Sequence, residues 1–171
     1  MKILAISGSA SKNSSNFYLL KAIAGFIQEK HKTEVYQGLY DFQLFTPTNL
    51  KNGVPEKIKV LKSKISSADV LIISTPEYTR NIPAALKNLI EWCTASGEFT
   101  NKRVVAITFT PHEPRGEHAM ASLLASLKTM EAKVIAQIAL YKSVLEIEDQ
   151  QVILDSLSKE MIQATMELLE S

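Results

Sequence analysis

Short apolar runs alternate along the chain with longer segments in which apolar residues recur every three or four positions. Lys2–Ser7 is apolar for five residues and breaks at Ser-Gly-Ser, which predicts a buried strand entering a tight turn. Ser14, Ser15 and Asn16 offer helix caps. Asn16, Leu20, Ile23 and Ile27 then fall at i, i+4, i+7 and i+11, the stripe of an amphipathic helix reaching about Lys30. Thr33–Leu39 has modest strand character. Residues 40–54 read as irregular, broken by Pro47, Asn49, Asn52 and Gly53, although they carry Tyr40, Phe42, Leu44 and Phe45. Pro55 opens a helix to about Ser66, with Ile58, Leu61 and Ile65 inward and Lys57, Lys59, Lys62 and Lys64 in water. Ala68–Thr75 contains Val70-Leu71-Ile72-Ile73, the clearest central strand, and a helix follows from roughly Pro83 to Cys93. Lys102–Thr108 is a strand and residues 110–115, with Pro111 and Pro114, a loop. Leu123, Leu124, Leu127 and Met130 mark the next helix, and Lys133–Leu140 a last strand. Ile153, Leu157, Met161 and Leu168 stripe a closing helix.

Strands alternating with helices imply right-handed crossovers and a parallel sheet covered on both faces. Five strands in this length predict a flavodoxin-like doubly wound α/β fold, strand order 2-1-3-4-5, in one domain over residues 1–171.

Charge changes the picture mainly by exclusion. The formal net charge is +1, which argues against a nucleic-acid partner bound through bulk positive charge and against a strongly acidic electron carrier. Residues 1–90 carry 12 basic and 6 acidic side chains, residues 91–171 carry 7 and 12. The basic surplus lies mostly on the Lys57–Lys64 helix rather than in any loop with recognisable chemistry. One cysteine, Cys93, rules out an intrachain disulfide and fits a small buried side chain. His31, His112 and His118 lack the spacing of a helical metal pair, so no metal is expected. The apolar start is too short for a signal-peptide core or a membrane span.

In doubly wound sheets ligands sit beyond the carboxyl ends of the strands, at the switch point between strands 1 and 3. Three loops meet there. The first, Gly8-Ser9-Ala10-Ser11-Lys12-Asn13-Ser14-Ser15-Asn16, combines a tight turn, four hydroxyls, an amide, a lysine and a helix N-terminus. It suits a phosphate dianion, or else serves only to cap the helix; the residues alone leave both open. It is neither a P-loop nor a Gly-x-Gly-x-x-Gly dinucleotide fingerprint, because Gly8 is its only glycine. The second loop, Pro76-Glu77-Tyr78-Thr79-Arg80-Asn81-Ile82-Pro83, offers an aromatic ring beside a planar ligand and an orienting carboxylate, or a plain surface turn. The third is Thr110-Pro111-His112-Glu113-Pro114-Arg115-Gly116.

Together, Gly-Ser-x-x-x-x-Ser-x-Asn and the longer run from Pro76-Glu77-Tyr78 through Ala84-Ala85-Leu86-Lys87-Asn88-Leu89-Ile90-Glu91-Trp92 resemble the NADPH-dependent FMN reductase family of flavin, quinone, azo-dye and chromate reductases. The resemblance runs over nearly the whole chain, and the second motif is the more specific. It implies bound FMN, with Ser9, Ser11, Lys12, Ser14, Ser15 and Asn16 at the phosphate. It further implies Pro76, Glu77, Tyr78 and Thr79 against the isoalloxazine, and Thr110, His112 and Gly116 at its edge. The chain departs from the family at Ser11, often an arginine, at Thr79, usually an asparagine, and at Asn81, usually a serine. Its third loop is proline-bearing where the family's is rich in glycine and serine.

The resemblance implies an NAD(P)H oxidoreductase without a catalytic acid or base of its own, passing electrons from NADPH or NADH through FMN to a small-molecule acceptor. Arg80, Arg115 and His112 are candidates for contacts to the nucleotide's phosphates or to the acceptor, or else solvated loop residues. Alternatives are a flavin-binding electron carrier, or a degenerate member with weak FMN binding. Family members are commonly dimers or tetramers, and the apolar Tyr40–Phe45 segment with the helix around Trp92 is a candidate for surface that needs covering. A homodimer or homotetramer in the cytoplasm, with no membrane or nucleic-acid partner, is therefore expected.

Overall fold

The computed structural model describes all residues, Met1–Ser171. Five parallel strands, β1 (Lys2–Ser7), β2 (Lys32–Tyr36), β3 (Val70–Thr75), β4 (Arg103–Thr110) and β5 (Lys133–Tyr141), form one sheet in the order β2-β1-β3-β4-β5. β3 is buried along its whole length, as its unbroken apolar run requires of a strand covered on two faces.

The sheet divides the core in two. One cluster, with Leu4, Ile6, Leu71, Ile73, Val104 and Ala106, is covered by α3 (Glu56–Ser67), α4 (Ala84–Cys93) and α5 (Glu117–Thr129). The other, with Ile3, Ala5, Val70, Ile72, Val105, Ile107 and Phe109, is covered by α1 (Ser15–Ile27) and α6 (Ser156–Glu170). The predicted stripes of α1 and α3 are buried: Asn16, Leu20, Ile23 and Ile27 on one, Ile58, Leu61 and Ile65 on the other. Leu123 and Leu127 of α5 are likewise buried, with Met130 at its C-cap.

Five expectations need correction. β2 ends at Tyr36 rather than Leu39, whose side chain instead enters the core from a 3₁₀ turn, Leu39–Asp41. Residues 40–54 are not wholly irregular: Thr46 caps a short helix, α2 (Pro47–Lys51), by accepting from Asn49 N at 3.0 Å. Ile153 does not belong to the closing helix but to a small antiparallel hairpin, β6 (Glu146–Glu148) and β7 (Gln151–Ile153), whose Val152 is buried. α6 is turned from its predicted face, with Leu157 and Leu168 exposed and Ile162, Met166 and Leu169 buried. Nor does Trp92 offer surface. It is fully buried, its Nε1 donates to Gln43 O at 2.8 Å, and Phe45 packs edge-on against it at 5.3 Å. Of that segment, Leu44 and Tyr40 are exposed.

Candidate functional site

The chain leaves β1 at Gly8, whose N–H donates to Ser74 O of β3 at 2.8 Å. A Cβ there would stand 2.8 Å from Leu86 Cδ2, itself fully buried, so the turn requires glycine. Beyond it, Ser9 Oγ accepts from Ser11 N at 3.2 Å, and Gln37 Nε2 donates to the carbonyls of Ser11 (3.0 Å) and Lys12 (2.8 Å). Ser14 caps α1, its Oγ accepting from Asn16 N at 3.2 Å. The backbone N–H groups of Ser9, Ala10, Lys12, Asn13, Ser14 and Ser15 have no acceptor within the protein. A loop with this many free donors at a helix N-terminus is suited to an anion.

Asn16 is buried and works mainly as a clamp. Its Nδ2 donates to Phe109 O at 3.3 Å, and its Oδ1 accepts from Ser74 Oγ at 2.7 Å, joining α1 to β3 and β4. Glu77 also has a structural task. Its Oε2 accepts from the backbone N–H groups of Gly116 (3.2 Å), His118 (3.1 Å) and Ala119 (3.1 Å), capping α5, whose N-cap residue Gly116 has no side chain to do so.

Directly after Glu77 runs a tight turn. Tyr78 and Asn81 exchange backbone hydrogen bonds of 2.9 Å, and the two residues between them, Thr79 (φ 50°) and Arg80 (φ 55°), are both left-handed. For L-residues this costs roughly 1–2 kcal/mol each. It is held by Asn81 Oδ1, which accepts from Ile82 N at 2.8 Å and from Ser122 Oγ of α5 at 2.6 Å. The turn leaves the Tyr78 ring half exposed.

The first and second loops face each other across a cleft of about 370 Å³ beyond β1 and β3. Ser9, Ser11, Ser14, Ser15, Asn16, Pro76, Glu77 and Tyr78 line it, as their motifs imply. Five other expected residues do not. Lys12 lies over the Tyr40 ring, 5.4 Å from its centroid. Thr79 faces the neighbouring groove. Thr110 is buried at the end of β4, its Oγ1 donating to Arg115 O at 2.8 Å. His112 is exposed, its Nδ1 2.9 Å from Glu113 O. Gly116 starts α5 at φ 109°.

The cleft also takes in Asn13 of the first loop, Pro111 and Arg115 of the third, and, from the strand ends, Phe109 and Lys142. Lys142 arrives from the end of β5 because its N–H donates to Thr110 O at 2.9 Å, tying that strand to the third loop. Its Nζ stands 6.0 Å from the Phe109 ring centroid. Arg115 arrives on the turn that its N–H closes on His112 O at 3.0 Å. The two cations supply the full charge that Lys12 does not bring. The donor set therefore fits a phosphate: hydroxyls, free amides, a helix end and two cations, with an aromatic ring across the gap.

The profile of a family described as NADPH-dependent FMN reductase matches residues 1–143. A subunit of NADH:(hydroxy)cinnamate reductase from Vibrio ruber is 33% identical over 132 residues, 77% of this chain and 64% of that protein. NADH-dependent flavin reductase subunit 2 from Lactobacillus johnsonii is 38% identical over 93 residues, 54% of this chain and 48% of that one. The chain thus matches about half to two thirds of the length of these relatives. The solved structure of a flavoenzyme NAD(P)H:(acceptor) oxidoreductase from Paracoccus denitrificans shares the fold, with a TM-score of 0.80 at 20% identity, over 99% of this chain and 97% of that one.

Proposed function

Because the chain belongs to the NADPH-dependent FMN reductase family, we propose that residues 1–171 form one FMN-binding domain of an NAD(P)H oxidoreductase acting on a flavin, quinone or similar small acceptor. The observation that carries this reading is the cleft itself. A row of free backbone donors and serine hydroxyls at the start of α1 faces Tyr78 across the β1/β3 switch point.

In this reading Ser9, Ser11, Ser14 and Ser15, with the amides around them, hold the phosphate, and Lys142 and Arg115 balance its charge. Pro76 and Tyr78 flank the ring system. Asn16 and Glu77 set the geometry by fixing α1 and α5 rather than by spending their main hydrogen bonds on the ligand. Thr110 and Gly116 shape the third loop from below. Bound FMN supplies the hydride chemistry, and no side chain in the cleft is required as an acid or base. The chain's part is to orient two planar molecules and to keep one face of the cleft open for donor and acceptor in turn.

No helix is long and apolar enough to cross a membrane, which is consistent with a cytoplasmic enzyme. A homodimer or homotetramer is the assembly in keeping with the family, with exposed Leu44 and Tyr40 as surface to cover. The test is direct: purified protein, FMN, NADPH or NADH and a quinone are mixed, and nucleotide oxidation is followed. Oxidation faster than with FMN alone is expected; an equal rate overturns the reading.

A further inference from the structure

We propose that Gln37, which stands outside the cleft, is a positioning residue that sets the first loop to receive a phosphate by holding its carbonyls from behind. This deepens the flavin reading and rests on it. Gln37 directly follows β2 and is half-buried. Its Nε2 donates to Ser11 O at 3.0 Å and to Lys12 O at 2.8 Å, so one amide group commits both of its N–H donors to two successive carbonyls. The reverse orientation would set the amide oxygen against both carbonyl oxygens, so these contacts also fix which way the amide lies.

The effect on the loop follows from peptide geometry. The peptides joining Ser11 to Lys12 and Lys12 to Asn13 are trans, so each N–H points opposite to the carbonyl it shares a plane with. With both carbonyls turned to Gln37, the N–H groups of Lys12 and Asn13 turn away from it, and neither finds an acceptor in the protein. Ser11 and Asn13 line the cleft, and Gln37 does not. One side chain thus grips the back of the loop while the free amides face the other way, as a backbone nest for an anion requires.

A second contact acts from the same segment. The Lys12 ammonium lies over the Tyr40 ring, three residues beyond Gln37, at 5.4 Å from its centroid. The segment itself is anchored on both sides of Gln37. Tyr36 pairs with Ile6 of β1, Gly38 turns the chain at φ 135°, and Leu39 is buried in the core. Ser11 and Lys12 are exposed, so water would satisfy their carbonyls equally well, and the two bonds add little to folding. What they add is orientation, which lowers the cost of ordering the loop when a ligand binds.

The experiment uses the full chain and two probes, FMN and riboflavin, which differ only in the phosphate, with affinities measured by flavin fluorescence. In Gln37→Leu the Kd for FMN is expected to rise about tenfold, the worth of one or two neutral hydrogen bonds, while the Kd for riboflavin stays unchanged. Gln37→Glu keeps the shape but not the donor, and is expected to lose more FMN affinity than Gln37→Leu. A Gln37→Leu variant that binds FMN as the wild type does, or that weakens both probes alike, overturns the proposal. A second readout needs no flavin: digestion with endoproteinase Lys-C, the cut between Lys12 and Asn13 being identified by mass spectrometry. That cut is expected to be several-fold faster in Gln37→Leu, and an equal rate overturns the hold of Gln37 on the loop. Absence of FMN binding by the wild-type chain overturns the flavin reading instead, while the digestion still decides what Gln37 does.

Discussion

Removal of the Glu77 carboxylate tests whether the second loop and α5 are one mechanical unit. α5 starts at Gly116 without a side-chain cap, and three of its first amides bond to one carboxylate oxygen at 3.1–3.2 Å. In Glu77→Ala these donors lose their acceptor. Water can reach the exposed His118 N–H, but Ala119 is fully buried and Gly116 is also buried. Losing an ordinary cap costs about 1 kcal/mol, and hydrogen bonds to a charged acceptor are worth about 1.5–3 kcal/mol. With partial rescue by water, a loss of about 2–3 kcal/mol follows for Glu77→Ala. Glu77→Gln keeps an acceptor oxygen and loses only charge, for about 1 kcal/mol. In a chain of this size those figures correspond to a fall in Tm of about 5–10 °C for alanine and about 2–4 °C for glutamine. Urea and thermal unfolding followed by circular dichroism measure both. Because the same carboxylate fixes the residue before Tyr78, FMN affinity should fall further in the alanine variant than in the glutamine one. An alanine variant within about 0.5 kcal/mol of wild type would refute the capping role. A glutamine variant as damaged as alanine would show that charge, not the acceptor oxygen, carries the contact.

Three further outcomes can be checked. Gly116→Ala places a Cβ 3.0 Å from Thr108 Oγ1 and 3.2 Å from Thr110 Cγ2 at φ 109°, and should cost about 2–4 kcal/mol in a denaturant titration; wild-type stability would contradict this. Cys93 is fully buried, and burial pushes its thiol up to about 12, so iodoacetamide should label it only as the chain unfolds; a native rate equal to that of a free thiol would contradict this. Asp155 caps α6, and hydrogen bonding from Ser158 holds its carboxyl below the ordinary 3.8. Its folded-state value is depressed, so its contribution is present above the unfolded value and is lost as pH falls through the folded one. The stability gap between wild type and Asp155→Ala should therefore be open at neutral pH and close on acidification below that range.

How much could be read in advance depended on whether one physical demand controlled a segment. In α1 the predicted stripe of Asn16, Leu20, Ile23 and Ile27 is the buried face, with Leu19 added beside it. In α6 two stripes compete, Leu157, Met161 and Leu168 against Ile162, Met166 and Leu169. Periodicity identifies the helix but cannot choose its face. The β6–β7 hairpin escaped notice because its strands are three residues long and Glu146, Ile147 and Glu148 are exposed, leaving no alternation to detect. The cleft follows the same logic. Ser9, Ser14 and Tyr78 were legible because loop position and side-chain type point the same way. Lys142 was not assigned to the cleft, because distant pairing between β5 and the third loop decides its placement, whereas Arg115 was already a candidate from its loop. Glu77 was found, yet its main partners lie 39 to 42 residues away, a distance that local pattern does not span.

At Thr79–Arg80 the demands of folding and of recognition conflict. Replacing the pair with Asn-Gly would suit both left-handed positions, and the relief of roughly 1–3 kcal/mol makes that dipeptide the better choice for a protein selected on persistence alone. The same exchange would strip the groove of one guanidinium. Heat tolerance and the presence of a guanidinium at this corner of the cleft should therefore trade against each other at this dipeptide. A library selected for thermal survival would be expected to lose Arg80 early, while one selected for turnover would keep it, along with the strain, wherever the side chain serves the reaction.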